Sequence, residues 1–332
     1  MTLRTGQTLQ GAKGVYKLLH PLKGSTVFKA RILSSPSTQA QWAIVKTANT
    51  AVEKMCLRRE HRNYTVSEIA SSPYIRAMYD TIQLNEHGED PPCLVFEWTD
   101  QDLRSIPAPT LRSNLNLPKF VSRAVLSALQ AFKTVNAVHT GRSLYVNPNN
   151  IYVTGVDSSD PIVKLGDLGN AIRAGVAQQR LQSLPCRAPE IWRGHPCQHS
   201  SDVWSVGATL TTKLSGLPLF GAGDKIIEGE TEAWCIAKII RLVGPLGEPI
   251  ENQAYKDEFE FAKQLAIMDH PHGTMKLITR RHWREELESI PDPPILKELL
   301  DFIEFILIVD PIKRPTASEA LLHPYLQLVA EV

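Results

Sequence analysis

Between Val15 and Phe96 the apolar positions come in short runs rich in aromatic and β-branched residues: VYKLL, TVFKARIL, WAIVK, YDTIQL and CLVFEW. Each run predicts a strand. The stretch from Glu53 to Ser71 differs, because Cys56, Arg59, Glu60, Tyr64, Ser67 and Glu68 recur at helical spacing, and Ser71-Ser72-Pro73 punctuates its end. The following segment, TDQDLRSIPAPTLRSNLNLP, contains three prolines and reads as an irregular connection. From Pro118 onward the period becomes helical, with Phe120, Val121, Val125, Leu126, Leu129 and Phe132 on one stripe. A strand pair at 151–153 and 163–165, separated by the turn-forming GVDSSDP, interrupts the helices. Further helices are predicted at 201–214, 232–242, 258–267, 294–307 and 317–323, and there is no internal repeat. The pattern therefore predicts an α+β chain of two lobes. A small β-rich lobe with one helix occupies residues 1–97, a hinge and connection residues 98–117, and a larger, mostly helical lobe residues 118–332.

Length agrees with this division, since 332 residues exceed one typical domain and bury a sizeable core. Lys plus Arg number 36 against 35 for Asp plus Glu, a net charge of +1, which supplies no field to hold a polyanion. Nucleic acid and anionic membrane are thereby disfavoured as partners, leaving a small ligand or another protein. The five cysteines, Cys56, Cys93, Cys186, Cys197 and Cys235, form no CxxC pair and no Cys/His cluster at zinc spacing, so free thiols are expected. The first residues, MTLRTGQTLQGAKG, lack the apolar core of a signal peptide. The most apolar later stretch, Leu299 to Val309, is interrupted by Asp301 and Glu304 and is far shorter than the roughly 20 residues that span a bilayer. A cytoplasmic or nuclear location is the expectation.

Several short motifs carry more specific chemistry. Ala43-Ile44-Val45-Lys46 ends an apolar strand in a lysine, and Glu60 follows 14 residues later on the predicted helix. Lys164-Leu165-Gly166-Asp167-Leu168-Gly169 begins in the second strand of the later pair and runs past its end. Beyond it come Cys186-Arg187-Ala188-Pro189-Glu190, then Ser201-Asp202-Val203-Trp204-Ser205-Val206-Gly207, and finally Asp310-Pro311 through Lys313-Arg314-Pro315-Thr316-Ala317 with His323-Pro324. Taken in this order over nearly the whole chain, the motifs resemble the eukaryotic protein kinase superfamily. The run Asp167-Leu168-Gly169-Asn170-Ala171 is similar to that of the SR-protein kinases, a branch of the CMGC group.

The resemblance implies a bilobal kinase fold that binds ATP and Mg²⁺ between its lobes. Lys46 would grip the nucleotide's phosphates and pair with Glu60, while Asp167 and Asn150 would hold metal. Phe96 would line the back of the nucleotide pocket, ahead of Glu97 and Trp98 in the hinge. Glu190 and Arg314 would form a buried structural ion pair. The segment from Asn170 to Arg187 would be the activation loop, with Ser183 its only hydroxyl side chain.

The chain departs from the family where transfer is catalysed. In the stretch VHTGRSLYVNPNNI, the aspartate that accepts the substrate proton is replaced by Gly141 or Tyr145, depending on register, and the loop lysine by Asn147. No Asp or Glu occurs between Asp102 and Asp157 to substitute. General-base help is worth about 10² to 10⁴ in rate, and the lysine's charge adds to it. Thr140 stands where an arginine would receive an activating phosphate. The phosphate-covering loop keeps one glycine, Gly24, out of the usual register, where close approach of backbone amides calls for several. Weak ATP binding with impaired phosphotransfer is the expectation, which makes the chain a pseudokinase acting as scaffold or allosteric regulator of a protein partner. The alternative is an active serine/threonine protein kinase.

Overall fold

The computed structural model describes residues 3–36, 38–83, 93–139, 146–176, 180–271 and 273–327. Thr140, Gly141 and Tyr145 lie outside these described residues. The smaller lobe is a six-stranded sheet of β1 (Thr8–Gln10), β2 (Val15–Lys23), β3 (Val27–Ser34), β4 (Trp42–Thr47), β5 (Met78–Ile82) and β6 (Cys93–Glu97). Its strand order is β1-β2-β3-β4-β6-β5, and all pairings are antiparallel. Alternation of side chains assigns the two faces. Tyr16, Leu18, Phe28, Ala30, Ala43 and Val45 bury one face in a core of their own. Ile44, Leu94 and Phe96 bury the other in a core shared with helix α1 (Ala51–Tyr64) and the whole larger lobe.

Helix α1 starts at a capping box in which Thr50 and Glu53 each accept a backbone N–H of the other. It stops at Tyr64 rather than continuing to Ser71. The β-branched pair Thr65 and Val66 follows, and the Thr65 hydroxyl donates back to the Arg62 carbonyl at 2.7 Å, competing with the helical ladder. Only a single further turn, α2 (Ser67–Ala70), forms beyond the break.

The proline-rich connection is more regular than its composition predicts. It contains a two-residue strand, β7 (Gln101–Asp102), and a short helix, α3 (Ala108–Ser113). Pro107 caps α3 and Pro109 sits in its first turn, where a missing N–H costs no hydrogen bond.

The larger lobe is organised by two long helices, α4 (Leu117–Thr134) and α6 (His199–Ser215). Trp204 in α6 is fully buried, and Gly207 lets Leu307 approach so closely that an added Cβ would stand 2.7 Å from the leucine. Three-residue strands β8 (Ala137–His139) and β11 (Ala171–Arg173) pair with each other, and β9 (Ile151–Thr154) pairs with both β7 and β10 (Ile162–Leu165). The rest is helical: α5 (Pro189–Trp192), α7 (Thr231–Val243), α8 (Gln253–Ile267), α9 (Trp283–Glu288), α10 (Lys297–Ile306), α11 (Ala317–Leu321) and α12 (Pro324–Gln327).

The lobes are stitched by backbone as well as by the hinge. Arg76 N–H donates to the Leu165 carbonyl and Leu165 N–H to the Tyr74 carbonyl, both at 2.8 Å. All five cysteines are free thiols. Among the described residues no helix is long and apolar enough to cross a membrane.

Candidate active site

Lys46, next to the last residue of β4, lies on the face that looks toward the larger lobe, and its ammonium meets two carboxylates. Its Nζ lies 2.7 Å from Glu60 Oε2 on α1 and 2.8 Å from Asp167 Oδ1 after β10. Burial alone would lower the lysine's pKa, but the charges of Asp167 and Glu60 outweigh it and hold the ammonium above its ordinary value. Glu60 is only 1% exposed, and its second oxygen accepts the backbone N–H of Leu168 at 3.1 Å. Helix α1 is therefore swung inward and bonded to the turn that carries Asp167.

That turn is closely fitted. Asp167 takes a left-handed backbone conformation, φ +58°, which aspartate tolerates better than bulkier residues. Leu168 is buried beneath α1, and Asn63 Nδ2 donates to the carbonyls of Leu168 at 2.7 Å and Ala171 at 3.3 Å. Gly169 has no room for a side chain, because a Cβ there would sit 3.0 Å from the Cys56 carbonyl oxygen. Asn150 ends a 3-10 turn, Pro148–Asn150, and its carbonyl accepts Gly166 N–H at 2.9 Å, which brings it beside the residue preceding Asp167. A carboxylate and an amide oxygen are donor types that a magnesium ion keeping several of its waters accepts.

His139 and Asn147, on either side of residues 140–146, are both buried. His139 in β8 donates its backbone N–H to Asp202 Oδ2 at 2.8 Å, and its Nε2 lies 3.2 Å from the Gly166 carbonyl oxygen. Its ring packs edge-on against Phe132 with centroids 5.6 Å apart. Asn147, at the place of the loop lysine, is only 2% exposed, and its side-chain oxygen accepts the N–H of Asn149. It is a buried cap for the 3-10 turn and presents no group to a transferring phosphoryl.

The other residues singled out by sequence are dispersed. Gly24 lies in the β2–β3 turn with φ +53°, and no atom stands within 4 Å of where its Cβ would be. Phe96 packs on Tyr64 of α1, centroids 5.4 Å apart. The Glu97 carboxylate is taken by Lys164 of β10, with Nζ 2.8 and 2.7 Å from its two oxygens. The Trp98 ring carries the Lys29 ammonium 4.0 Å above it. In the activation segment Ser183 is buried. Arg187 donates from Nε and Nη2 to the carbonyl of Gln182, a residue with φ +64°. Arg314 grips Glu190 with both terminal nitrogens, at 2.8 and 3.0 Å, as the sequence predicts for the structural ion pair.

Three further residues stand at this site whose contacts the sequence does not signal: Arg76, Tyr152 of the predicted strand 151–153, and Lys164, which opens the motif leading to Asp167. Each belongs to a short strand or its approach, and only the pairing of the lobes brings them to the hinge.

With this geometry in view, comparison with known proteins is consistent throughout. The chain matches the family described as Protein kinase domain over residues 23–326. It is 27% identical over 254 residues to serine/threonine-protein kinase prpf4B of Dictyostelium discoideum, covering 71% of this chain and 30% of the relative. It is 27% identical over 253 residues to a probable cyclin-dependent kinase 10 of the same organism, covering 70% and 57%. To the dual specificity protein kinase YAK1 of Saccharomyces cerevisiae it is 25% identical over 286 residues, covering 75% and 34%. These relatives are kinases of the CMGC type, and the matches span between 30% and 57% of their lengths. The family match covers most of the chain and includes Lys46, Glu60 and Asp167, so this chain belongs to the protein kinase domain family.

Proposed function

We propose that the chain is a pseudokinase: it holds Mg-ATP weakly between its lobes, transfers phosphate poorly, and acts as a scaffold or allosteric regulator of a protein partner in the cytoplasm or nucleus. The observation that carries this reading is the contrast between two ends of one cleft. At the phosphate end, Lys46 is 24% exposed at its side chain and stands between Glu60 and Asp167. Lys46 would meet the phosphates, and Asp167 with Asn150 would hold Mg²⁺; bound there, Mg-ATP would supply the transferable phosphoryl group. At the transfer end, Asn147 turns its side chain into the protein, and no lysine remains to meet the developing charge. The run Asp167 to Ala171 supports kinship with the SR-protein kinase branch within this reading.

The inward position of α1 favours a second reading, a working serine/threonine kinase, because the Lys46–Glu60 pair is an arrangement that phosphotransfer requires. Binding and catalysis are separable by experiment. Millimolar Mg-ATP should raise the melting temperature of the protein, since a ligand at 100 times its dissociation constant stabilises a fold by about 2.7 kcal/mol. Lys46→Ala and Asp167→Ala should each erase that shift while leaving the protein folded. Absence of any shift in the wild type, with ATP or ADP and with or without metal, would remove nucleotide from the proposal and leave a scaffold alone.

A further inference from the structure

The base end of the cleft does not share the openness of the phosphate end. Arg76 lies at the start of the stretch that leads into β5, and its guanidinium extends toward the hinge. Its Nε donates to the backbone carbonyl of Glu97 at 2.8 Å. The guanidinium carbon stands 4.3 Å from the centroid of the Tyr152 ring in β9 and 5.9 Å from that of Phe96. The residue is 8% exposed overall. Among the described residues no carboxylate forms an ion pair with it, because the Glu97 carboxylate is committed to Lys164. A buried arginine is thus held by a ring face and one carbonyl, an arrangement that leaves its charge uncompensated by a partner anion.

The location gives this arrangement meaning. Tyr152 and Arg76 together fill the space beside Gly166, next to Asp167: an added Cβ would lie 2.8 Å from Tyr152 Cε2 and 3.2 Å from Arg76 Cβ. Ile44 and Phe96 are cross-strand partners, and Ile44 precedes Lys46 by two residues, so both belong to the cleft face of the sheet. Arg76, Tyr152, Phe96 and the Glu97 carbonyl are therefore gathered at the hinge end of the same cleft whose other end is Lys46 and Asp167. An aminopurine is a flat ring edged with N–H donors, and it would bind there by stacking on an aromatic or apolar surface and donating to a hinge carbonyl. A guanidinium is likewise planar and edged with N–H donors.

We propose that Arg76 occupies the subsite a purine would fill, so that the protein's own guanidinium is the resting occupant and nucleotide must displace it. The proposal rests on the nucleotide reading above, and a resident guanidinium would lower the affinity for a purine. A site open in only a fraction of molecules binds with an apparent dissociation constant raised by the inverse of that fraction. The phosphate end is untouched by this competition, so a ligand that carries phosphates and no base is indifferent to Arg76.

Three probes separate the ends: Mg-ATP, adenosine and Mg-tripolyphosphate, measured by calorimetry on the full chain as wild type, Arg76→Met and Tyr152→Leu. Methionine keeps an unbranched apolar stem in the buried channel and removes the planar donor group. Tyr152→Leu keeps Arg76 and removes the face on which it rests, which guards against an Arg76 variant that does not fold. Arg76→Met should bind adenosine and Mg-ATP about ten-fold tighter or more than wild type, with Tyr152→Leu changed in the same direction and tripolyphosphate unchanged in both. Equal adenosine and Mg-ATP affinities in wild type and both variants, with tripolyphosphate still bound, would overturn the role of Arg76 and leave the nucleotide reading intact. Tighter adenosine in the variants with no tripolyphosphate binding in any form would support Arg76 and overturn the phosphate end instead.

Discussion

Glu60 Oε1 accepts the backbone N–H of Leu168 at 3.1 Å, so the carboxylate that holds Lys46 also holds the turn that carries Asp167. One side chain thereby links the small lobe's sheet, its helix and the large lobe's turn at Asp167. Any account of this cleft has to treat the three as a unit.

Glu60→Ala should break that unit. Hydrogen bonds to charged groups contribute about 1.5 to 3 kcal/mol each, and the substitution also strands the Leu168 N–H in a buried place. A loss of roughly 2 to 4 kcal/mol in urea unfolding is expected, together with a smaller Mg-ATP thermal shift. Glu60→Gln keeps an acceptor for Leu168 and should lose less stability. Equal losses in the two variants would show that the bond to Leu168 contributes nothing.

The Glu190–Arg314 pair is fully enclosed, and Arg314 also donates to the carbonyls of Ile308, Ser200 and Val309. Removing one partner of such a pair leaves an unpaired buried charge and costs about 3 to 5 kcal/mol. Arg314→Ala should show that loss in chemical unfolding. Arg314→Lys should recover only part of it, because an ammonium cannot reproduce the two-pronged contact. Wild-type stability in Arg314→Ala would refute this.

Asp202 gives the fold a pH dependence whose sign is fixed by its surroundings. It is buried, its Oδ2 accepts the His139 N–H, and among the described residues its Oδ1 has no hydrogen-bond partner. Burial pushes its pKa well above the ordinary carboxylate value; the His139 N–H draws it back, and the charge of Glu190 adds to the rise. A raised folded pKa means that the native state binds this proton more tightly than the unfolded chain. Its contribution is complete below about pH 4, the unfolded value, and is lost as pH rises through the folded value. Asp202→Asn still accepts the His139 N–H but does not ionise. The stability of the variant relative to wild type should therefore increase as pH rises above about 4, read as urea midpoints over a pH series. A difference that stays constant with pH would contradict this.

Much of the framework was legible because it rests on periodicity. Period-two runs became β2 to β6, and the stripe from Phe120 to Phe132 became α4, each element burying the side the alternation or spacing assigned. Lys46, Glu60 and Asp167 could be set at one cleft by motif order, and the structure brings them into contact. What escaped depends on contacts that composition does not encode. Helix α3 forms among prolines because Pro107 caps it and Pro109 falls in its first turn, and β8 with β11 are too short to show a period. Arg76 reaches Glu97 across 21 residues of sequence, and Lys164 reaches the same residue across 67, through a lobe junction that no local pattern reveals. Asn147 reads as a substituted lysine, yet only the geometry of its turn shows that its side chain faces inward.

The central claim is that this kinase domain binds its nucleotide without efficient transfer, and turnover is its most direct measure. The full chain should be incubated with γ-labelled ATP, Mg²⁺ and either an Arg/Ser-rich or a generic basic peptide, beside Asp167→Ala. Loss of general-base help alone predicts transfer about 10² to 10⁴ below that of a working kinase. Turnover of about 1 to 100 per second, abolished by Asp167→Ala, would contradict the account and establish an active enzyme.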